Sequence, residues 1–145
     1  MKQLSVPDAP ALLAEGAVYL DVRSTAEFNQ GHPMGALNVP IFEPDEDTGA
    51  MGPNPDFVRV VQANVPREAT LLVGCQAGGR SLRAASVLEA YGYTTVYNVL
   101  GGFGGARDPM GRIELGWIDA GLPVAGTPGE GRSYPELLAN ADAAE

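Results

Sequence analysis

The sequence predicts an α/β fold, in which a small, mainly parallel β-sheet carries helices on both faces. Three observations lead to this class. Short runs rich in β-branched and apolar residues, at positions 18–22, 70–73 and 94–100, alternate with segments of helical periodicity. The connections between them are short, which favours parallel strands joined by helices. The 145 residues are enough for one such domain and too few for two independent cores.

Capping residues and breakers mark the elements of the first half. Ser5 is expected to cap a helix over residues 7–15. Ser24 and Glu27 have the spacing of a capping box, which predicts a short helix through residue 30. The other predicted segments are strands at 18–22 and 37–40, a surface loop at 43–55 and a helix at 56–65.

The second half supplies the rest of the sheet. We predict strands at 70–73 and 94–100, a helix at 81–91, and a glycine-rich loop at 101–116. Beyond residue 125 the composition shifts to Gly, Pro, Ala and acidic residues, as in termini that are mobile in part. We therefore expect a domain at residues 1–125 and a partly mobile C-terminal tail at 126–145, with a weak helix at 135–143.

The charge balance excludes two classes of partner. Nine basic residues stand against 18 acidic ones, which gives a net charge of -9 and an isoelectric point near 4.4. Such a field repels phosphate groups. We therefore expect neither nucleic acid nor a membrane surface as a partner.

The single cysteine, Cys75, and the single histidine, His32, limit the chemistry further. One cysteine allows no intramolecular disulfide and no zinc site of several thiolates, so we expect no metal. The N-terminal residues lack the apolar stretch of a signal peptide. These features predict a reducing, cytoplasmic location.

Cys75 is the candidate nucleophile, because it directly follows a predicted buried strand and directly precedes a helix. Ligands of open α/β sheets bind at this edge. The loop after it contains glycines that allow successive N–H groups to face an anion, and the helix N-terminus adds positive charge. Together with Arg80 these groups would stabilise a thiolate. The alternative is a buried structural cysteine before a glycine-rich turn.

Three ordered motifs resemble the signatures of the rhodanese family and together span about residues 5 to 125. The first comprises Leu20-Asp21-Val22-Arg23, Glu27-Phe28, Gly31-His32 and Gly35-Ala36-Leu37-Asn38-Val39-Pro40. The second is similar to the family's catalytic loop and reads Cys75-Gln76-Ala77-Gly78-Gly79-Arg80-Ser81. The third comprises Leu100-Gly101-Gly102, Trp117 and Gly121-Leu122-Pro123-Val124.

The resemblance implies a rhodanese fold and a sulfurtransferase that moves a sulfane sulfur through a persulfide on Cys75. The donor would be thiosulfate or a persulfide, and the acceptor would be cyanide or a thiol, including one on a protein. No cofactor is implied, because amides from Gln76 to Arg80 can stabilise a persulfide anion. With no second cysteine, the acceptor must come from outside the chain.

Two other functions use a similar loop. Cysteine phosphatases and arsenate reductases place one residue more between the cysteine and the arginine than the four between Cys75 and Arg80. The shorter loop suits one sulfur atom better than a phosphate group. A non-catalytic rhodanese-like binding or regulatory module is the other alternative.

The sequence departs from the family in two places. Two-domain thiosulfate sulfurtransferases have basic residues at the positions matching Glu27 and Ala77, so their absence here predicts weak turnover of thiosulfate. An insertion at about 103–116 also lies next to the expected mouth of the site. It is either a flexible surface loop or a lid, in which Phe103 would cover the persulfide and Arg107 and Arg112 would attract an anion.

Several other residues have structural interpretations. Asp21 and Arg23 are expected to support the site, Asp21 by accepting hydrogen bonds or pairing with an arginine, and Arg23 through its helical spacing to Glu27. Ser81 is either a helix cap or a donor to the sulfur, and His32 is a hydrogen-bonded scaffold residue. A solvated loop is favoured over a calcium site for the acidic residues Glu43, Asp45, Glu46 and Asp47.

Overall fold

The computed structural model describes residues 1–144, and a five-stranded parallel sheet forms its centre. In chain order the elements are β1 (Lys2–Ser5), α1 (Ala9–Ala14), β2 (Val18–Asp21), α2 (Thr25–Gln30), β3 (His32–Pro33), β4 (Leu37–Asn38), β5 (Phe42–Pro44), β6 (Met51–Pro53), α3 (Phe57–Asn64), β7 (Thr70–Gly74), α4 (Gly79–Ala90), β8 (Thr95–Leu100), β9 (Ala106–Arg107), β10 (Ile113–Glu114), β11 (Val124–Ala125) and α5 (Tyr134–Ala143).

The strand order of the main sheet is β1-β8-β7-β2-β4, and every neighbouring pair is parallel. The central strand β7 pairs with β2 so that Gly74 lies opposite Asp21. Because parallel strands end at the same edge, the residues that follow β2, β7 and β8 meet there. The α/β class with helices on a parallel sheet is therefore confirmed.

Helices cover the two faces of the sheet with separate apolar cores. On one face α3, α4 and α5 pack against inward side chains of the strands, among them Leu20, Leu71, Val73 and Val96. On the other face Tyr19, Leu72 and Val99 pack with Phe28 of α2 and with Trp117. Tyr19 and Trp117 meet edge to face, with ring centroids 5.4 Å apart. Successive side chains of a strand point to opposite faces of the sheet, so the strands contribute to both cores.

The capping box before α2 is confirmed. The Ser24 hydroxyl accepts from the Glu27 amide at 3.2 Å, and the Glu27 carboxylate accepts from the Ser24 amide at 3.3 Å. The Ser5 cap is wrong in detail, because the Ser5 hydroxyl donates to Asp8 instead of accepting from a helix amide. A short 3₁₀ turn over Val6–Asp8 leads into α1.

Seven short strands were not predicted, namely β1, β3, β5, β6, β9, β10 and β11. Strand β1 pairs with β8 at the edge of the main sheet, although only Leu4 in it is buried, so its alternation is too short to detect. The predicted loop at 43–55 contains the β5–β6 hairpin, and the loop at 101–116 contains the β9–β10 hairpin. These strands form because each one pairs with a neighbouring strand in the fold, since their own sequences have no pattern typical of β-strands.

The C-terminal helix α5 packs on α3 and extends the core beyond residue 125. Leu137 and Ala141 are buried in the same cluster as the side chains of α3 and α4. The Asn64 amide group donates to the Leu137 carbonyl at 2.9 Å, which ties the two helices together. Within residues 1–144 every helix is too short or too polar to span a bilayer.

Truncating Leu137 tests whether α5 is part of the folded domain. Leu137→Ala is expected to lower the free energy of unfolding by about 2–5 kcal/mol, because it leaves a cavity between α5 and α3. Urea unfolding measures the change. Leu82→Ala, on the exposed side of α4, removes the same atoms and serves as the matched control. Equal effects of the two substitutions would mean that α5 is dispensable for stability.

Candidate active site

Cys75 lies at the carboxyl edge of the sheet, between the end of β7 and the first turn of α4. Gly78 is the N-cap of α4 and has φ of +119°, a conformation that favours glycine. This turn directs the Gly78 amide at Cys75, and the nitrogen donates to Sγ at 3.0 Å. The cysteine is 2% exposed. A backbone N–H of the glycine-rich loop therefore faces the sulfur.

The residue before the cysteine has to be glycine for a steric reason. A Cβ at Gly74 would overlap the hydroxyl of Tyr19, which lies directly against it on β2. Burial raises the pKa of Tyr19 well above its ordinary value, and the charges of Asp21 and Cys75 act in the same direction. Tyr19 is thus a neutral phenol packed beneath the start of the catalytic loop.

Ser81 connects the sulfur to a buried polar chain. Its hydroxyl lies 3.4 Å from Cys75 Sγ and 2.6 Å from Asn98 Oδ1 on β8. The Asn98 amide group in turn donates to Gln3 Oε1 on β1 at 2.9 Å. Since Gly78 is the N-cap, Ser81 lies inside the first turn of α4 and is not its cap.

The Ser81 hydroxyl has one proton, and two acceptor oxygens lie within reach of it: Asn98 Oδ1 at 2.6 Å and the Gly78 carbonyl at 3.1 Å. Ser81 therefore links the sulfur to β8 and to the glycine turn of the loop. Sequence analysis did not identify Asn98, which is 2% exposed in the structure. The one signal in the sequence was a polar residue inside an otherwise apolar strand.

Arg80 makes its closest contacts with Glu27. Its guanidinium donates to both carboxylate oxygens, NH1 to Oε1 at 2.7 Å and NH2 to Oε2 at 3.0 Å. These bonds hold the pKa of Glu27 at about 2, well below its ordinary value. The pKa of Arg80 is raised mainly by Glu27, with a smaller contribution from the charge of Cys75. Arg80 is therefore held by Glu27 at the first turn of α4.

A buried ion pair joins Asp21 and Arg23, which are 1% and 3% exposed. Arg23 Nε donates to Asp21 Oδ1 at 3.0 Å and NH2 donates to Oδ2 at 2.8 Å, a bidentate arrangement. The Arg23 amide also donates to Asp21 Oδ1. The Arg23–Glu27 contact suggested by helical spacing is replaced by this pair, because Arg23 precedes α2 and turns back toward β2.

The Arg23 guanidinium also contacts three other segments. NH2 donates to the Gly31 carbonyl at 2.8 Å, and NH1 donates to Gln76 Oε1 at 3.3 Å. The guanidinium also lies over the Phe103 ring, 4.5 Å from its centroid. One side chain therefore connects the end of β2, the turn after α2, the catalytic loop and the start of the insertion.

The first residues of the insertion pack against the catalytic loop. The Phe103 amide donates to the Cys75 carbonyl at 2.8 Å, and the Gly104 amide donates to the Gln76 carbonyl at 3.0 Å. A Cβ at Gly102 would overlap the Cys75 carbonyl oxygen, and one at Gly104 would overlap the Gln76 side chain. Phe103 is 7% exposed. This part of the insertion is structural support for the loop.

The other two candidate lid residues lie on the β9–β10 hairpin. Arg112 Nε donates to Asp108 Oδ2 at 2.8 Å, and Arg107 donates to the Gly111 carbonyl at 3.2 Å. Both bonds stay within the hairpin, and the Arg112 side chain is 77% exposed. Neither arginine lines the cavity beside the loop, so their attraction of an anion stays a prediction.

A cavity of about 390 Å³ opens beside the catalytic loop. Its lining residues are Arg23, Glu27, Gln30, Gly31, Gln76, Phe103 and Ile118. The loop residues Gln76, Ala77 and Gly79 are exposed, whereas Cys75 and Ser81 are buried behind them. The lining side chains come from the turn after β2, from α2, from the loop itself, and from the insertion and the residues that follow it.

Two further groups have structural partners. His32 Nδ1 lies 2.7 Å from the Phe28 carbonyl, so that nitrogen carries the proton, and the His32 ring stacks on Phe28. In the acidic loop, Asp45 accepts from backbone amides of the loop itself. Among residues 1–144, no group of three or more His, Cys, Asp or Glu is arranged to hold a metal ion.

Removing Arg23 is expected to destabilise the protein strongly. Arg23→Met leaves the buried Asp21 carboxylate without its partner, which should lower the free energy of unfolding by about 3–5 kcal/mol. Arg112→Met removes a guanidinium from an exposed pair and should change it by less than about 1 kcal/mol. Guanidinium chloride unfolding of both variants measures the difference, and comparable losses would contradict the role given to Arg23.

Acid should weaken the Glu27–Arg80 pair. A carboxylate whose pKa falls from 4.5 to about 2 on folding adds stability that is present above pH 4.5 and lost as the pH falls toward 2. Wild type should therefore lose more stability over this range than Glu27→Gln, which keeps the capping-box geometry. Urea unfolding at a series of pH values tests this, and parallel curves would contradict it.

Known proteins share this sequence pattern and this architecture. The profile of the rhodanese-like domain matches residues 5–107. The chain is 38% identical over 121 residues to thiosulfate sulfurtransferase 16, chloroplastic, of Arabidopsis thaliana, covering 83% of this chain and 90% of that protein. It is 36% identical over 123 residues to thiosulfate sulfurtransferase 18 of the same plant, covering 83% and 81%. Among solved structures, Rv0390 from M. tuberculosis matches with a TM-score of 0.69 and 29% identity, covering 87% of this chain and 98% of that one. The chain therefore belongs to the rhodanese-like domain family.

Proposed function

We propose that the protein is a sulfurtransferase in which Cys75 carries the transferred sulfur as a persulfide. The observation that carries the proposal is the position of Sγ, which accepts a hydrogen bond from the Gly78 amide at the carboxyl edge of the sheet, next to the exposed loop residues Gln76 and Ala77. The donor is thiosulfate or a persulfide, and the acceptor is cyanide or a thiol, including one on a protein.

The reaction consists of two displacements on sulfur. The Cys75 thiolate attacks the sulfane sulfur of the donor, a new S–S bond forms, and the donor's own bond breaks with its electron pair leaving on sulfite or on a thiolate. The acceptor then attacks the outer sulfur, and Cys75 leaves as the thiolate. The chain has no second cysteine, so it cannot release the sulfur as an internal disulfide.

The contacts of Cys75 and Arg80 favour this reaction over a purely structural cysteine and over a phosphatase. Cys75 packs among the apolar side chains of one core, but its Sγ also meets the Gly78 amide and the Ser81 hydroxyl, polar contacts that a cysteine with only a packing role does not need. A phosphatase needs its arginine to bind an oxyanion, but Arg80 is bound to Glu27. The relatives at 38% and 36% identity that are named thiosulfate sulfurtransferases also support the proposal.

The proposal includes a reducing compartment such as the cytoplasm. Cys75 is the only cysteine of the chain and is a free thiol. A reducing environment keeps such a thiol available for sulfur transfer.

Replacing Cys75 tests the mechanism. Cys75→Ser should abolish sulfur transfer from thiosulfate and from glutathione persulfide to cyanide, because a hydroxyl cannot form a persulfide. The free energy of unfolding should change by no more than about 1 kcal/mol, since serine is nearly the same size. Thiocyanate formation measures transfer, and urea unfolding measures stability.

A double substitution controls for the mere presence of a thiol. Cys75→Ser combined with Ser86→Cys moves the only cysteine to an exposed position on α4, and it should be as inactive as Cys75→Ser. Retained transfer in Cys75→Ser, or restored transfer in the double variant, would refute the proposed role of Cys75.

A further inference from the structure

The cavity beside the catalytic loop has two arginines close by, and both are already paired. Arg23 binds the two carboxylate oxygens of Asp21, and Arg80 binds the two carboxylate oxygens of Glu27. Glu27 itself lines the cavity together with Gln76 of the loop. An incoming anion therefore meets the Glu27 carboxylate, while the charge of each of the two guanidinium groups is balanced by a carboxylate.

Glu27 is held firmly in this position. Its Oε1 also accepts from the Ser24 hydroxyl at 3.0 Å and from the Ser24 amide at 3.3 Å, because the residue is part of the capping box of α2. Its pKa of about 2 keeps it charged at any physiological pH. Freeing Arg80 for a ligand would break two charge-assisted hydrogen bonds and leave this carboxylate beside the ligand.

We propose, on the basis of the sulfurtransferase function proposed above, that Glu27 is a specificity-determining residue. By holding Arg80 and placing its own carboxylate at the cavity, it selects organic persulfides over the compact dianion thiosulfate.

The two donors differ in where their charge lies. Thiosulfate carries two negative charges within one small group, and sulfite leaves as a dianion beside Glu27 when the Cys75 thiolate takes the outer sulfur. An organic persulfide, R–S–SH, transfers its outer sulfur to the thiolate to give Cys75–S–SH, and one thiolate, RS⁻, leaves. The groups on R that carry further charge extend away from the reacting atoms. Repulsion by Glu27 therefore acts mainly on thiosulfate.

Removing the charge of Glu27 should reverse part of this preference. Wild type is expected to have a higher kcat/KM with glutathione persulfide than with thiosulfate, with cyanide as the acceptor. Glu27→Gln should raise kcat/KM for thiosulfate about tenfold, which is the effect of one unit charge on a dianion at roughly 6 Å in an aqueous dielectric. The value for glutathione persulfide should change by less than about twofold.

Three controls isolate the charge. Methanethiosulfonate has the same sulfonyl–sulfur bond as thiosulfate but one negative charge fewer, so its gain should be smaller than that of thiosulfate. Glu27→Ala removes the charge without supplying an amide and should act in the same direction, should Glu27→Gln fold poorly. The double variant Glu27→Gln with Arg80→Gln removes both charges of the ion pair, so kcat/KM for thiosulfate should return toward the wild-type value, because the net charge beside the cavity is then the same as in wild type.

The outcomes separate this inference from the function on which it depends. The inference is supported if Cys75 takes up sulfur and the ratio of kcat/KM for thiosulfate to kcat/KM for glutathione persulfide rises only in the Glu27 variants. It is overturned if Cys75 takes up sulfur but this ratio is the same in wild type and variants, or if wild type prefers thiosulfate. No sulfur on Cys75 from any donor would overturn the proposed sulfurtransferase function itself.

Discussion

The buried ion pair between Asp21 and Arg23 is the interaction on which the arrangement of the site depends. A guanidinium that is 3% exposed is stable there only because the Asp21 carboxylate binds it through two hydrogen bonds. The strand register places Asp21 opposite Gly74, one residue before the cysteine. The pair therefore lies at the edge of the sheet where the catalytic loop begins. Arg23 links this edge to the loop by donating a hydrogen bond to Gln76.

The insertion extends this support from the other side. Residues 102–104 run beside the loop and donate two backbone hydrogen bonds to the carbonyls of Cys75 and Gln76. The close approach requires glycine at position 102, where a Cβ would overlap the Cys75 carbonyl oxygen, whereas a Cβ at position 104 would displace only the end of the Gln76 side chain. The carbonyls of residues 102 and 103 in turn accept from the amides of Trp117 and Ile118. The loop is thus held between the sheet and a segment anchored at both ends.

Local patterns predicted the centre of this site, and contacts between distant residues determined the rest. A strand followed by cysteine, glycines and a helix is readable in one segment, as is the capping box of Ser24 and Glu27. The Glu27–Arg80 pair joins residues 53 positions apart, and the Ser81–Asn98–Gln3 chain crosses three elements. No periodicity encodes such partners. For the same reason α5 could be predicted as a helix, but its packing on α3 could not.

The central claim is that Cys75 carries sulfur, and intact-protein mass spectrometry of wild type tests it most directly. Protein with a verified free thiol would be incubated briefly with glutathione persulfide or thiosulfate, analysed, and then treated with cyanide. The account predicts a gain of one sulfur atom, located on Cys75, that cyanide removes as thiocyanate. No gain from either donor would contradict it and would favour a binding module with the same fold.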